Sequence, residues 1–238
     1  MSAERPEPAA RLEPVDRPEP VRGWCQPEVR EELPGLHLLH SPAAVHRIGR
    51  ESPPSVKKRL ATLSNRWAGP HAVGLRQQPV PAAYRVFFRH IGLDPDMVRT
   101  PIEEAMLARM MQGGFHSHHL LADALLISLI DTGVPVWALN ASAVSPPLGI
   151  RASREGEPLG HASGAGVRGA PDSLPAGRLV IADAHAVVGV LFGELAYTHA
   201  ADGATGEVRL FTLQVPGVPS LHVEEALWMC RAMLEGPW

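Results

Sequence analysis

"HSHHLLADALLISLIDTGVPVWAL" (residues 116–139) changes its period part-way along. Up to Gly133 the apolar residues are dense and run too long for a strand, so the segment reads as a helix from near Ser117 to Asp131, with Gly133 as its stop. From Val134 onward the apolar runs become short and β-rich: "VPVWAL", "LGIR" (148–151), "LVIAD" (179–183), "VVGVLF" (187–192) and "VRLFTLQV" (208–215), divided by Gly, Pro, Ser and Asp. Three further helical patterns lie upstream. "ESPPSVKKRLATLSNRWAG" opens at Pro54 and closes at Gly69, and "PAAYRVFFRHIG" has Pro81 in its first turn and Gly92 as its stop. "TPIEEAMLARMMQGG" starts with a capping box between Thr100 and Glu103, with Pro101 at the first helical position. Downstream, "SLHVEEALWMCRAMLEG" is an amphipathic helix capped by Ser220. Helices first, strands in the middle and a helix last predict one α+β domain, with a central mixed β core of short strands, over residues 34–238.

The preceding 33 residues read differently. "RPEP" occurs at 5–8 and 17–20, with "RLEP" at 11–14 between them. Alternating Pro and charge without apolar periodicity buries no surface, so a disordered Pro/Glu/Arg-rich tail is expected over 1–33. The start of the chain carries no hydrophobic signal region and no apolar run reaches membrane-spanning length, which predicts a cytoplasmic protein without a membrane partner. Cys25 and Cys230 make neither a disulfide framework nor a cysteine zinc site and read as two inert thiols.

Charge is unevenly spread. The net charge of −3 conceals +6 across residues 47–109 (eleven Lys and Arg against five acids) and −6 across 110–238. A basic segment attracts a polyanion such as RNA; equally, the two halves attract each other within one fold. No phosphate loop, dinucleotide fingerprint, nucleophile elbow or His-Glu-x-x-His is present, so no cofactor is expected. One alternative for "HSHH" is a zinc site from His116, His118 and His119 with Asp123, which shares a helix face with His119 four residues earlier. The plainer alternative is a set of exposed histidines at a helix start, with Asp123 closing a local hydrogen bond.

Over residues 79–215 the order of motifs resembles the B3/B4 module of the bacterial phenylalanyl-tRNA synthetase beta subunit, and more closely the stand-alone B3/B4 tRNA-binding proteins. The resemblance is carried by "RQQPVPAAYRVFFRHIGLDPD" (76–96), "RTPIEEAMLARMMQGG" (99–114), "HSHHLLADALLISL" with Asp123, "PVWALN" (135–140), "RASREGE" (151–157), "LVIAD", "LFGE" (191–194) and "TGEVRLF" (205–211). The family module hydrolyses the ester of a wrongly attached amino acid, chiefly tyrosine, on tRNA. The resemblance therefore implies a tRNA or aminoacyl-tRNA partner, no DNA, and a trans-editing deacylase. By position it assigns Glu194 and Thr205 to the hydrolytic site. The family's strand histidine is replaced by Trp137 and its aspartate by Asn140. Trp offers only an N–H donor and Asn is no base, so either a histidine such as His116, His119 or His199 supplies the proton transfer or the pocket binds without hydrolysing. On the first reading His119 joins Glu194 and Thr205 as catalytic, and Trp137, Asn140, His116, His118, Asp123 and Glu157 contact substrate. Trp137 alternatively packs as a core strand aromatic, and Glu157 and Asp183 alternatively fix turns. Phosphate contacts fall to Lys57, Lys58, Arg59, Arg76, Arg85 and Arg89. Three functions follow: an editing hydrolase, a non-catalytic binder of an amino acid or acceptor end, and a metal-dependent hydrolase built on the histidines.

Overall fold

Gly23 sits between two dipeptides that join different sheets. β1 (Val21–Arg22) pairs with β3 (His37–Ala44), whereas β2 (Trp24–Cys25) pairs with β5 (Gly149–Ala152). The crossing needs a glycine: a Cβ at Gly23 would lie 2.6 Å from Leu148 O and 2.8 Å from Leu38 Cδ2. The computed structural model describes residues 19–45, 48, 51–67, 74–160 and 173–236, and these form a single α+β domain of two four-stranded sheets and six α-helices.

The first sheet runs β1-β3-β8-β4, all antiparallel, with β8 at Glu207–Gln214 and β4 at Val136–Asn140. β8 pairs with β3 from His37↔Gln214 to Ala44↔Glu207, and on its other side with β4 from Val136↔Thr212 to Asn140↔Val208. The second sheet runs β2-β5-β6-β7, with β6 at Leu179–Ala182 and β7 at Val187–Val190; only β2–β5 is parallel.

The helices are α1 (Pro27–Glu32), α2 (Pro54–Arg66), α3 (Pro79–His90), α4 (Pro101–Gln112), α5 (Leu120–Thr132) and α6 (Ser220–Glu235). Proline at the first position of α1 to α4 forfeits no hydrogen bond there and presets φ. The capping box of α4 forms: the Thr100 backbone N–H and hydroxyl both donate to Glu103 Oε2, at 3.2 and 2.8 Å. α5 ends at Gly133 with φ +75°, and α3 is followed by Gly92 with φ +78°. α5 and α6 pack through Ala124, Ile127, Val223, Ala226 and Cys230, all buried, and the Ser128 hydroxyl donates to Ala226 O. Burial pushes the Cys230 thiol up to about 12 against a smaller opposing hydrogen bond from Ser128, so it stays protonated. No helix among the described residues is long and apolar enough to cross a membrane.

Three sequence expectations are corrected. The order is not helices first, because β1 to β3 precede α2; "HLLHSPAA" is a strand whose inward and outward residues do not alternate cleanly. Ser220 is the first residue of α6, and its cap position is Pro219, which makes no side-chain cap. Of the tail expected to be disordered over 1–33, residues 19–33 are folded. Trp24 lies against Gly149 and its Nε1 donates to Pro147 O, while Val29 and Leu33 of the α1 region are buried. Those few apolar residues, scattered among charges, carry no period of their own and find partners only in the folded chain. Residues 1–18 and the stop at Gly69 lie outside the described residues.

Gly149→Ala tests this docking. The added Cβ would stand 2.3–2.4 Å from two Trp24 ring atoms and from Trp24 O, so Trp24 must leave its seat. The expected cost is about 1–3 kcal/mol, read as a lower thermal midpoint together with faster proteolysis within residues 19–33. An unchanged cleavage pattern would contradict it.

Candidate functional site

The "HSHH" stretch leads into α5 and its side chains are used locally. The His119 Nδ1 accepts from Ala122 N–H at 3.3 Å as the helix cap, and His116 Nε2 lies 3.1 Å from Gln112 O. His116 and His118 are exposed. Asp123 is fully buried and accepts from the Ser52 hydroxyl (2.6 Å), the Ser117 hydroxyl (2.5 Å) and His118 N–H (2.9 Å). It fastens the loop before α5 to the start of α2 and offers nothing to a ligand. Among the described residues no three His, Cys, Asp or Glu side chains are arranged to hold a metal ion. The zinc alternative falls with that inward turn of Asp123, and His119 caps the helix through Nδ1.

Trp137 also changes role. It projects from β4 half-buried, stacked on Phe211 of β8 (centroids 5.4 Å apart, 16°) and edge-on to Phe192 (5.8 Å). Phe192 further meets Tyr84, Phe87 and Phe88 of α3 at 5.9, 6.0 and 4.9 Å. Trp137 is thus a core strand aromatic with one ring face taken by Phe211, not an open stacking platform. Glu194, two residues beyond Phe192, is exposed in the turn after β7, where its carbonyl accepts from Val190 N–H. Glu157 is held by Arg151, whose Nη1 donates to Oε2 at 2.7 Å, and by Arg154 N–H at 2.9 Å. These hydrogen bonds, the Arg151 one foremost, keep its carboxyl below the usual range, and it fixes the 151–157 turn.

Two of the expected residues do come together. The ends of β4 and β8 enclose a recess of about 470 Å³ lined by Asn140, Ser142, Asp202, Thr205, Glu207 and Arg209, among others. The strand register does this, since Asn140 pairs with Val208 and Leu139 with Arg209. The Asn140 Oδ1 accepts from Ser142 N–H (3.1 Å) and the Ser142 hydroxyl (2.7 Å), leaving its amide NH₂ without a partner among the described residues. The Thr205 hydroxyl donates to Asp202 Oδ1 (3.0 Å) and accepts from Asp202 N–H (2.9 Å), closing a 202–205 turn. That hydroxyl, with Ala204 N–H, holds the Asp202 carboxyl below its ordinary value and so makes it a weak base. Glu207 and Arg209 make no ion pair among the described residues. Glu194, His116 and His119 do not line the recess. Sequence reading missed Asp202, Ser142, Glu207 and Arg209; only the Asp-Gly pair at 202–203 hinted at a turn. A larger recess of about 710 Å³ beside Trp67 and Gly133 contains none of the expected catalytic or substrate residues.

The basic segment is largely paired. Arg59 and Arg66 both reach Asp131 of the acidic half, at 2.8 and 2.9 Å, and Lys57 pairs with Glu51. Arg85 is buried between Glu103 (2.5 Å) and Asp96 (2.7 Å), with Arg76 on Glu103 (3.0 Å) and Arg89 near Asp96 (3.9 Å). Arg85 is therefore structural. The exposed arginines keep pairs of small strength that a phosphate can replace, and Lys58 is exposed and makes no ion pair among the described residues.

Asp183 and His199 form a second buried pair, with Nε2 3.8 Å from Oδ2 and both side chains wholly buried. Asp183 accepts from the N–H groups of Ser145, His185 and Ala186, each at 2.8 Å, tying the loop before β5 to the β6–β7 turn. Burial opposes its charge, but those N–H groups and His199 together hold its carboxyl below the ordinary range. Matched against models of known protein families and against curated proteins, the chain matches none.

A carboxyl with a depressed folded pKa stabilises the fold above its ordinary value of about 3.9, and that contribution is lost as pH falls through the folded value. The melting-temperature gap between the native chain and Asp183→Asn should be widest near neutrality and narrow below about pH 4. The other depressed carboxyls remain in both proteins and cancel. A gap constant from pH 7 to 3 would contradict this role. Asp123→Asn should cost about 2–3 kcal/mol in denaturant unfolding; a loss under about 0.5 kcal/mol would show that the three donors do not need the charge.

Proposed function

We propose that this chain is a tRNA-binding protein of the B3/B4 type that holds the aminoacyl end of tRNA in the recess of Asn140 and Thr205. The observation that supports it is the recess itself, which offers both signs of charge at close quarters. Asp202 and Glu207 suit an α-ammonium group, and Arg209 with the free Asn140 amide suits an ester carbonyl. The rest of the tRNA would lie on Lys58 and on Lys57, Arg59, Arg66, Arg76 and Arg89, whose present ion pairs exchange for phosphates.

Binding without turnover is the first reading, because Asp202 is a weak base and no histidine among the described residues lines the recess. Editing is the second, favoured by the Glu207 carboxylate: an aminoacyl ester is already activated, so one positioned water and two donors are sufficient chemistry. A binding assay and a deacylation assay together separate them. Aminoacyl-tRNA binding should weaken roughly a hundredfold between 50 and 200 mM salt, as about four phosphate contacts require. Arg209→Ala should lose about tenfold for aminoacyl-tRNA and little for uncharged tRNA. Equal losses for both would remove the recess from recognition, and salt-independent or absent binding would remove tRNA. Release of tyrosine or phenylalanine from phenylalanine tRNA, abolished by Glu207→Gln, would establish the editing reading; no release would leave the binding one.

A further inference from the structure

The walls of the recess at the ends of β4 and β8 limit what it can hold. Besides its charged groups, its described lining is Asn140, Ala141, Ser142, Ala204, Thr205 and Gly206. Each of these is small or hydrogen-bonding. Among the described residues no aromatic, Leu, Ile, Val or Met side chain joins them. Trp137 and Phe211, the aromatics nearest in sequence, are stacked on each other and do not line the recess.

Two of the polar groups keep unused capacity. The Asn140 Oδ1 is taken by the Ser142 N–H and hydroxyl. The Asn140 amide therefore still has two N–H donors, and the Ser142 oxygen, its proton spent, still has lone pairs. One Asn140 N–H serves the ester carbonyl, and the other is left for the side chain of the bound amino acid. The Thr205 hydroxyl takes no part, being committed to the Asp202 carboxylate and N–H. A donor beside an acceptor is what a hydroxyl or a carboxamide needs, since each of those groups both donates and accepts. An aromatic ring gains its binding by burying apolar area, which small polar walls do not return. It also strips water from the amide and the hydroxyl without replacing the hydrogen bonds.

We propose that the aminoacyl group held in this recess has a small, uncharged side chain bearing a hydroxyl or a carboxamide, as in serine, threonine or asparagine, and not the aromatic one that the family resemblance implies. The inference rests on the reading of the recess as the aminoacyl-end site and adds the class of amino acid. Asn140 and Ser142 then set specificity, while Asp202, Glu207 and Arg209 hold the groups common to every aminoacyl ester.

The test uses the full chain and one tRNA carrying serine, alanine or phenylalanine through a non-hydrolysable 3′-amide, beside the uncharged tRNA, in filter binding at fixed salt. Seryl-tRNA should bind about tenfold more tightly than phenylalanyl-tRNA and about fivefold more tightly than alanyl-tRNA. The double variant Asn140→Ala/Ser142→Ala should lose the preference for serine over alanine. Its thermal midpoint and its affinity for uncharged tRNA, which the distant cations carry, report whether it is folded. Phenylalanyl-tRNA bound as tightly as seryl-tRNA would overturn the inference. So would a serine preference over alanine that is missing in the native chain or that survives in the folded double variant. Those results leave the aminoacyl-end reading standing. One affinity for all three charged forms and for uncharged tRNA removes that reading instead, and this inference with it.

Discussion

Phe192 is the joint on which the two sheets depend. It leaves the end of β7 with φ +55°, a conformation that costs an L side chain on the order of 1 kcal/mol. What offsets the cost is its seat among Tyr84, Phe87 and Phe88 of α3 and Trp137 of β4. One ring from the second sheet thereby touches α3 and the first sheet at once. Tyr84 extends the joint, since its buried hydroxyl donates to Leu213 O on β8 at 2.8 Å. Aromatics are scarce in this chain at 5%, and of its twelve Phe, Trp and Tyr residues six stand at this one place.

That concentration explains the fate of Trp137. A strand aromatic at the family's histidine position reads as a ligand platform only while its neighbours are unknown. Once Phe211 lies flat beneath it and Phe192 against its edge, it is part of what holds the sheets together. The polar residues of the "HSHH" stretch follow the same logic. Asp123 finds three donors within its own surroundings, and His119 finds the backbone of the helix it begins. Groups with local partners are used up by the fold, and the recess at the ends of β4 and β8 stands out because it retains groups that are not.

The charge asymmetry resolves both ways. Asp131 takes two arginines from the basic half, so part of the imbalance is internal attraction across the fold. The exposed remainder still lies on one segment and keeps its long-range field, whereas the α6 face is acidic. The surface therefore carries two regions of opposite sign.

Local signals determined most of the elements. Gly133, Gly92, the prolines at helix starts and the Thr100–Glu103 box act within a few residues, so "HSHHLLADALLISLIDTG" reads as a helix and "LVIAD" as a strand from sequence alone. The α+β class follows from helical and strand patterns that do not alternate as βαβ units. The ordering of residues 19–33 does not, because Trp24, Val29 and Leu33 carry no period and gain burial only against distant partners such as Gly149. Thr205 and Asn140 were legible as separate positions through a family resemblance. That Asp202, Glu207 and Arg209 share their recess was decided by the antiparallel register of β4 on β8, a pairing across some 70 residues. No local signal encodes such a register; it is set when both strands bury their apolar faces in the common core.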